Sequence, residues 1–347
     1  MRSLSYTCLL LILAVNVFAE LKTKRSHPVI TKEDEDLFNT GDGVWFLDDN
    51  REPVQATLDT SNFLTDGIID VEDHVYFHLY TRDSQESTLL YPNDIHSLRY
   101  SKFDASKPTK FVTHGWINSK NSDACTLVRD AFLSHGDYNV IVVDWSRITF
   151  RPYVWARTHV PDVAKYVAKM IDFLEDQGIN LNYTTLAGHS LGAHVMGLAA
   201  YNAKGEVNYV VGLDPALPLF TGEGPDGRIS TEDAHHVEVI HTNAGFLGYM
   251  HAIGMADFYP NGGSHQLGCV IDIGGACSHA RSYEYFAESI TSQTGFYGRR
   301  CRNFLEMKLG KCEGGIARMG GLRDQLPFTG TYYLTTKSKN PFAKGRD

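Results

Sequence analysis

Five short runs in the middle of the chain are almost wholly apolar: Lys110 to Thr113, Asn139 to Asp144, Thr184 to Ala187, Val207 to Leu213 and Val237 to Ile240. They are rich in β-branched residues and nearly unbroken by polar ones, the mark of strands buried on both faces of a parallel sheet. His74 to Tyr80 differs: it alternates and is rich in aromatics, as a further strand with two unlike faces would be. Between the runs lie stretches with apolar residues at helical spacing, at Ala124 to Leu133, Val160 to Leu174 and Leu191 to Tyr201. Strands alternating with helices predict an α/β chain, a mostly parallel central sheet with helices on both faces.

The ends read differently. Arg2, the apolar stretch Leu9 to Val15 and the small residues of Val17-Phe18-Ala19 predict a secretory signal peptide, residues 1–19, cut after Ala19. Residues 20–40 are polar and charged and predict a disordered leader or pro-segment, with Lys24-Arg25 as a candidate processing site. No repeat and no Pro/Gly/Ser linker divides residues 41–347, which read as one domain.

Charge and cysteine narrow the class. A formal net charge of −9 argues against nucleic acid as a partner, since phosphate binding needs a basic surface. It also gives no general attraction to anionic membranes. If Cys8 leaves with the signal, five cysteines enter an oxidising compartment. Their spacing favours the bridges Cys269–Cys277 and Cys301–Cys312, with Cys125 left over. No tight Cys-x-x-Cys pair is present, which argues against zinc. Asn182-Tyr183-Thr184 is an N-glycosylation sequon.

The chemistry concentrates in Gly188-His189-Ser190-Leu191-Gly192, set between a predicted strand and a predicted helix. A serine on so sharp a turn needs neighbours without side chains two residues away on either side. Ser190 is therefore the candidate nucleophile, and the Leu191 backbone N–H points toward a developing oxyanion. Triad partners should follow in the order acid, then histidine. Asp214 comes at the end of the next strand, and His279 in a loop before a later helix. The second oxyanion donor should come from the loop after an earlier strand, where His114-Gly115-Trp116 stands; the Trp116 backbone N–H is the candidate. This chemistry needs no cofactor and no metal.

These motifs, with Val142-Val143-Asp144-Trp145, Ala193-His194, Gly212-Leu213-Asp214-Pro215-Ala216, Asp257-Phe258-Tyr259-Pro260-Asn261-Gly262-Gly263 and Cys277-Ser278-His279, make the chain resemble the pancreatic lipase family from about Val75 to Thr335. The resemblance implies an α/β-hydrolase fold and hydrolysis of lipid esters at a membrane or micelle surface by a secreted enzyme. It implies Ser190 as nucleophile, Asp214 as acid, His279 as base, and Trp116 and Leu191 as oxyanion donors. In the family a lid lies between cysteines matching Cys269 and Cys277; here only seven residues, Val270 to Ala276, lie between them. The loop Thr242 to Ala256 is short as well. Both features resemble the phospholipase A1 members and predict an open, polar cleft. The family's C-terminal β-sandwich is not expected, nor is a colipase. Its calcium site is half kept: Arg228 and Asp233 match but Ser230 replaces an acid, so no calcium is expected. Cys125 matches a bridged cysteine whose partner position holds Val140. The alternatives are a neutral triacylglycerol lipase and a lipase-like storage protein without catalysis.

Overall fold

A computed structural model describes residues 30–39, 44–58, 69–84, 86–322 and 328–346. The expected signal peptide, and residues 20–29 of the expected leader, lie outside the described residues. Thirteen strands occur among those described. β1 (Val44–Leu47) and β2 (Pro53–Ala56) form an antiparallel hairpin. The others form one sheet in the order β12-β11-β13-β10-β9-β8-β7-β5-β6-β3-β4. They are β3 (Tyr76–Tyr80), β4 (Thr88–Leu90), β5 (Thr109–Thr113), β6 (Asn139–Asp144), β7 (Thr185–His189), β8 (Tyr209–Leu213), β9 (His236–Ile240), β10 (Ala256–Pro260), β11 (Phe296–Cys301), β12 (Ile316–Met319) and β13 (Gly330–Leu334). From β6 through β13 neighbours run parallel. β3, β4, β11 and β12 pair antiparallel at the two margins.

Burial on both faces explains the apolar runs. Every residue of β5 to β10 is buried. Along β6, Ile141 and Val143 join one core while Val140 and Val142 join the other. The first core lies under the helices Val160–Asp176 and Leu191–Asn202, which pack on each other. The second lies under Asp123–His135 and Ala276–Thr291, also mutual neighbours. Helices thus cover both faces, and the chain has the α/β-hydrolase fold. Among the described residues no helix is long and apolar enough to cross a membrane.

Register then sets the site. Thr113 pairs with Gly188, Gly188 with Gly212, and Leu213 with Ile240. The residues one or two positions beyond these partners, His114, Ser190, Asp214 and Thr242, therefore emerge along one edge of the sheet, outside the carboxyl ends of its strands.

Two expectations fail here. The leader is not disordered throughout: Lys32–Asn39 is a helix, and Asp34 within it is fully buried. Its carboxylate accepts from Leu219 N–H at 2.7 Å, Thr221 Oγ1 at 3.2 Å and Thr31 N–H at 2.9 Å. Those partners offset the desolvation that an acidic composition alone would not survive. His279, expected in a loop, lies in the first turn of Ala276–Thr291. The helix starts earlier than its sequence suggests because the left-handed Gly275 caps it in place of a Ser, Thr or Asp.

Candidate active site

Ser190 sits between β7 and its helix with φ 58° and ψ −123°, a conformation that costs an L-residue about 1–3 kcal/mol. Backbone bonds hold it there: Ser190 N–H donates to Leu213 O at 3.1 Å, and Ser190 O accepts from Ala216 N–H at 3.2 Å. The flanking glycines are sterically required. A Cβ on Gly188 would stand 2.1 Å from Gly192 O, and one on Gly192 would stand 2.4 Å from His114 O. Gly115 approaches from the other side, where a Cβ would lie 2.7 Å from Ser190 Cβ. That approach brings the loop carrying Trp116 over the serine. Leu191 opens the helix Leu191–Asn202, so its N–H has no acceptor within the helix.

Asp214 follows β8 with φ 46° and is fully buried. Thr242 N–H donates to its Oδ1 at 2.8 Å, Asn243 N–H donates to both oxygens at 3.1 Å, and His279 Nδ1 lies 2.6 Å from Oδ2. A Cβ on Gly248 would sit 2.3 Å from this carboxylate, so the loop after β9 closes tightly around it. His241 anchors that loop: its Nε2 lies 2.9 Å from Asp257, its Nδ1 lies 2.8 Å from Tyr249 O, and its ring stacks on Tyr259. Sequence reasoning missed these supports, although Asp257, set between Ala256 and Phe258, breaks an apolar stretch and so signalled a buried polar group.

The structure thus brings Ser190, Asp214 and His279 to one place. Ser190 Oγ and His279 Nε2 are buried and have no hydrogen-bond partner among the described residues, so the serine–histidine bond is not formed here. Such bonds are often long until substrate docks. His189 packs its ring 4.4 Å from that of His279. Burial, reinforced by that neighbouring imidazole, pushes His189 well below the usual histidine range, so it adds no positive charge beside the base.

The cleft is not open. Ser190 is 1% exposed, and the cavity over it, lined by Phe46, Gly115, Trp116, His189 and His279 among others, holds about 30 Å³. That is room for about one or two waters. The expectation of an open cleft came from the short lid, and the lid does not cover the serine: Val270 and Ile271 are 93% and 82% exposed. The N-terminal hairpin covers it instead.

Cys269 is bridged to Cys277 and Cys301 to Cys312, while Cys125 is free and buried. Burial pushes the Cys125 thiol far up, which leaves it unreactive. Asn182 is exposed, in a short 3₁₀ turn just ahead of β7. The residues matching a calcium site do not fit the ion. Both Asp233 oxygens accept from Ser230, through its N–H at 2.7 Å and its hydroxyl at 2.9 Å. Burial raises that carboxyl to about 7.

Buried histidines set the acid response. Burial lowers His78 to about 4, His194 to about 3 and His189 well below its usual value. Each then binds protons more readily in the unfolded chain, so its contribution is present above about pH 6.5 and is lost as pH falls. Asp233 has the opposite sign: raised in the folded state, its contribution is present below about pH 4 and lost as pH rises through about 7. With three groups against one, the melting temperature should be lower at about pH 4.5 than at about pH 7.5, as circular dichroism can measure. A higher value in acid would contradict this balance.

Residues 48–342 match the lipase family. Pancreatic triacylglycerol lipase of Mus musculus is 32% identical over 302 residues, covering 78% of this chain and 65% of its own. Pancreatic lipase-related protein 2 of Bos taurus is 33% identical over 312 residues, covering 80% and 66%. Lipase member H-B of Xenopus laevis is 34% identical over 235 residues, covering 63% and 49%. The chain spans just under two thirds of the length of the pancreatic relatives.

Proposed function

The chain belongs to the lipase family, and from that premise we propose that it is a secreted serine carboxylic ester hydrolase that acts on lipids, preferring phospholipid and releasing the sn-1 fatty acid. One observation carries the reading: a strained Ser190 at a strand-to-helix turn lines the same cavity as an imidazole whose Nδ1 lies 2.6 Å from a fully buried Asp214.

The chemistry follows from that geometry. Asp214 accepts from His279 Nδ1–H, which leaves Nε2 free to take the Ser190 proton. Ser190 Oγ attacks the ester carbonyl, and the oxyanion is met by the N–H groups of Trp116 and Leu191. His279 passes the proton to the leaving alcohol, giving an acyl-enzyme. Water, deprotonated by the same imidazole, then releases the fatty acid and restores Ser190.

Substrate preference rests on the loop Val270 to Ala276. Seven residues closed by a disulfide cannot unfold into a broad apolar platform, and interfacial affinity scales with buried apolar area. A phospholipid asks for less, because its headgroup stays in water. Initial rates at equal protein should be at least about tenfold higher on phosphatidylcholine vesicles than on emulsified triolein. The reverse preference would support the second reading, a triacylglycerol lipase, which the names of the pancreatic relatives and the exposed tip Val270-Ile271 favour.

A further inference from the structure

We infer that the helix Lys32–Asn39 and the hairpin, residues 44–58, form an autoinhibitory cap, and that Phe46 of the hairpin occupies the place over Ser190 where an acyl ester must bind. The inference rests on the serine-hydrolase reading of the site but not on the lipid class.

Phe46 is inserted among the residues that would receive substrate. Its ring stacks on Tyr153 at 5.4 Å, meets Trp116 edge-on at 5.4 Å, and lies 5.8 Å from the imidazole of His279. It is 3% exposed. An acyl chain seeking apolar contact beside the oxyanion loop would meet these same aromatic faces. With the cavity reduced to about 30 Å³, no ester of lipid size fits while Phe46 is in place.

The hairpin is attached by a few polar contacts beside that aromatic wedge. Asn118 Nδ2 donates to Leu47 O at 3.0 Å, Ser119 N–H donates to Asp49 at 2.9 Å, and Arg51 Nε donates to Asp123 at 2.6 Å. The first two pairs sit on the loop that also carries Trp116, so the cap grips the oxyanion loop directly. Trp45, on the opposite face of β1, lies against Gly274, where a Cβ would be 2.9 Å from Trp45 Cβ. The hairpin is therefore wedged between the catalytic groups and the Cys269–Cys277 loop. Upstream, the buried Asp34 and the contact of Phe38 with Tyr153 at 6.1 Å anchor the helix Lys32–Asn39 to the body. β1 and β2 belong to their own two-stranded sheet and add no strand to the central one. Detaching them leaves all eleven strands of the central sheet paired.

A capped enzyme reacts in proportion to its open fraction. The test is the second-order rate of labelling of the full-length chain by a long-chain alkyl fluorophosphonate. Phe46→Ala removes the plug and Asp34→Ala loosens the anchor, far from the catalytic groups. Each should label at least about tenfold faster than the parent chain, while Phe46→Tyr should stay as slow as the parent. Circular dichroism checks that each variant is folded. Equal or slower labelling by both folded alanine variants would overturn the cap and make the hairpin a fixed wall. No labelling of any variant or of the parent would overturn the serine-hydrolase reading as well.

Discussion

Replacing Ser190 with alanine should lower ester turnover by roughly four to six orders of magnitude, the size of effect that loss of the nucleophile has in other serine triads. The fold should be almost untouched. Ser190 Oγ has no hydrogen-bond partner among the described residues, so its removal breaks no structural bond. The turn is held by backbone groups, Ser190 N–H to Leu213 O and Ala216 N–H to Ser190 O, which alanine keeps. Alanine also preserves Cβ, and so the contact with Gly115. A melting curve should place the variant within about 0.5 kcal/mol of the parent. A folded Ser190→Ala chain with near-normal turnover would remove Ser190 from the mechanism.

The second large effect is expected from Asp214→Asn. Asparagine can keep its carbonyl oxygen where Thr242 N–H and Asn243 N–H donate to Oδ1, but its amide, in place of Oδ2, then points one N–H at His279 Nδ1 and leaves Asn243 N–H facing a donor. The imidazole must answer with the other tautomer, Nδ1 as acceptor and the proton on Nε2. An Nε2 that already bears a proton cannot take the one on Ser190. The rate should fall by about 10⁴-fold, with turnover measured on a soluble short-chain ester. Stability should fall by about 1–3 kcal/mol, because charge-assisted bonds to a fully buried carboxylate become neutral ones. A variant within tenfold of the parent rate would mean that Asp214 does not orient the base.

What the sequence revealed follows from burial. β5 to β9 announced themselves because both their faces are covered, so polar residues are almost excluded. β10 is equally buried but did not look like a strand, because Asp257 and Pro260 interrupt it. The first is tolerated because His241, Ile253 N–H and Gly254 N–H satisfy its carboxylate, and the second because it closes the strand. β11 hid for another reason: Arg299 and Arg300 are exposed, as the margin of a sheet permits. At the site, Ser190, Asp214 and Trp116 were legible because each follows a recognisable strand, and the glycines report the close approaches directly. Phe46 was not. Its strand is four residues long, its neighbourhood is acidic, and its partners are more than 60 residues away in sequence. Acidic composition suggested disorder, and only the fold shows Asp34 buried with its acceptor capacity filled.

The measurement that reaches the central claim most directly is the site of covalent capture. The folded chain would be incubated to completion with diisopropyl fluorophosphate, a reagent small enough to need little opening, then digested and mapped by mass spectrometry. A single adduct on Ser190, absent from Ser190→Ala and strongly slowed in Asp214→Asn, is the predicted result. An adduct on another serine, or a folded chain that turns over ester and yet carries no adduct, would contradict the assignment of Ser190 as nucleophile.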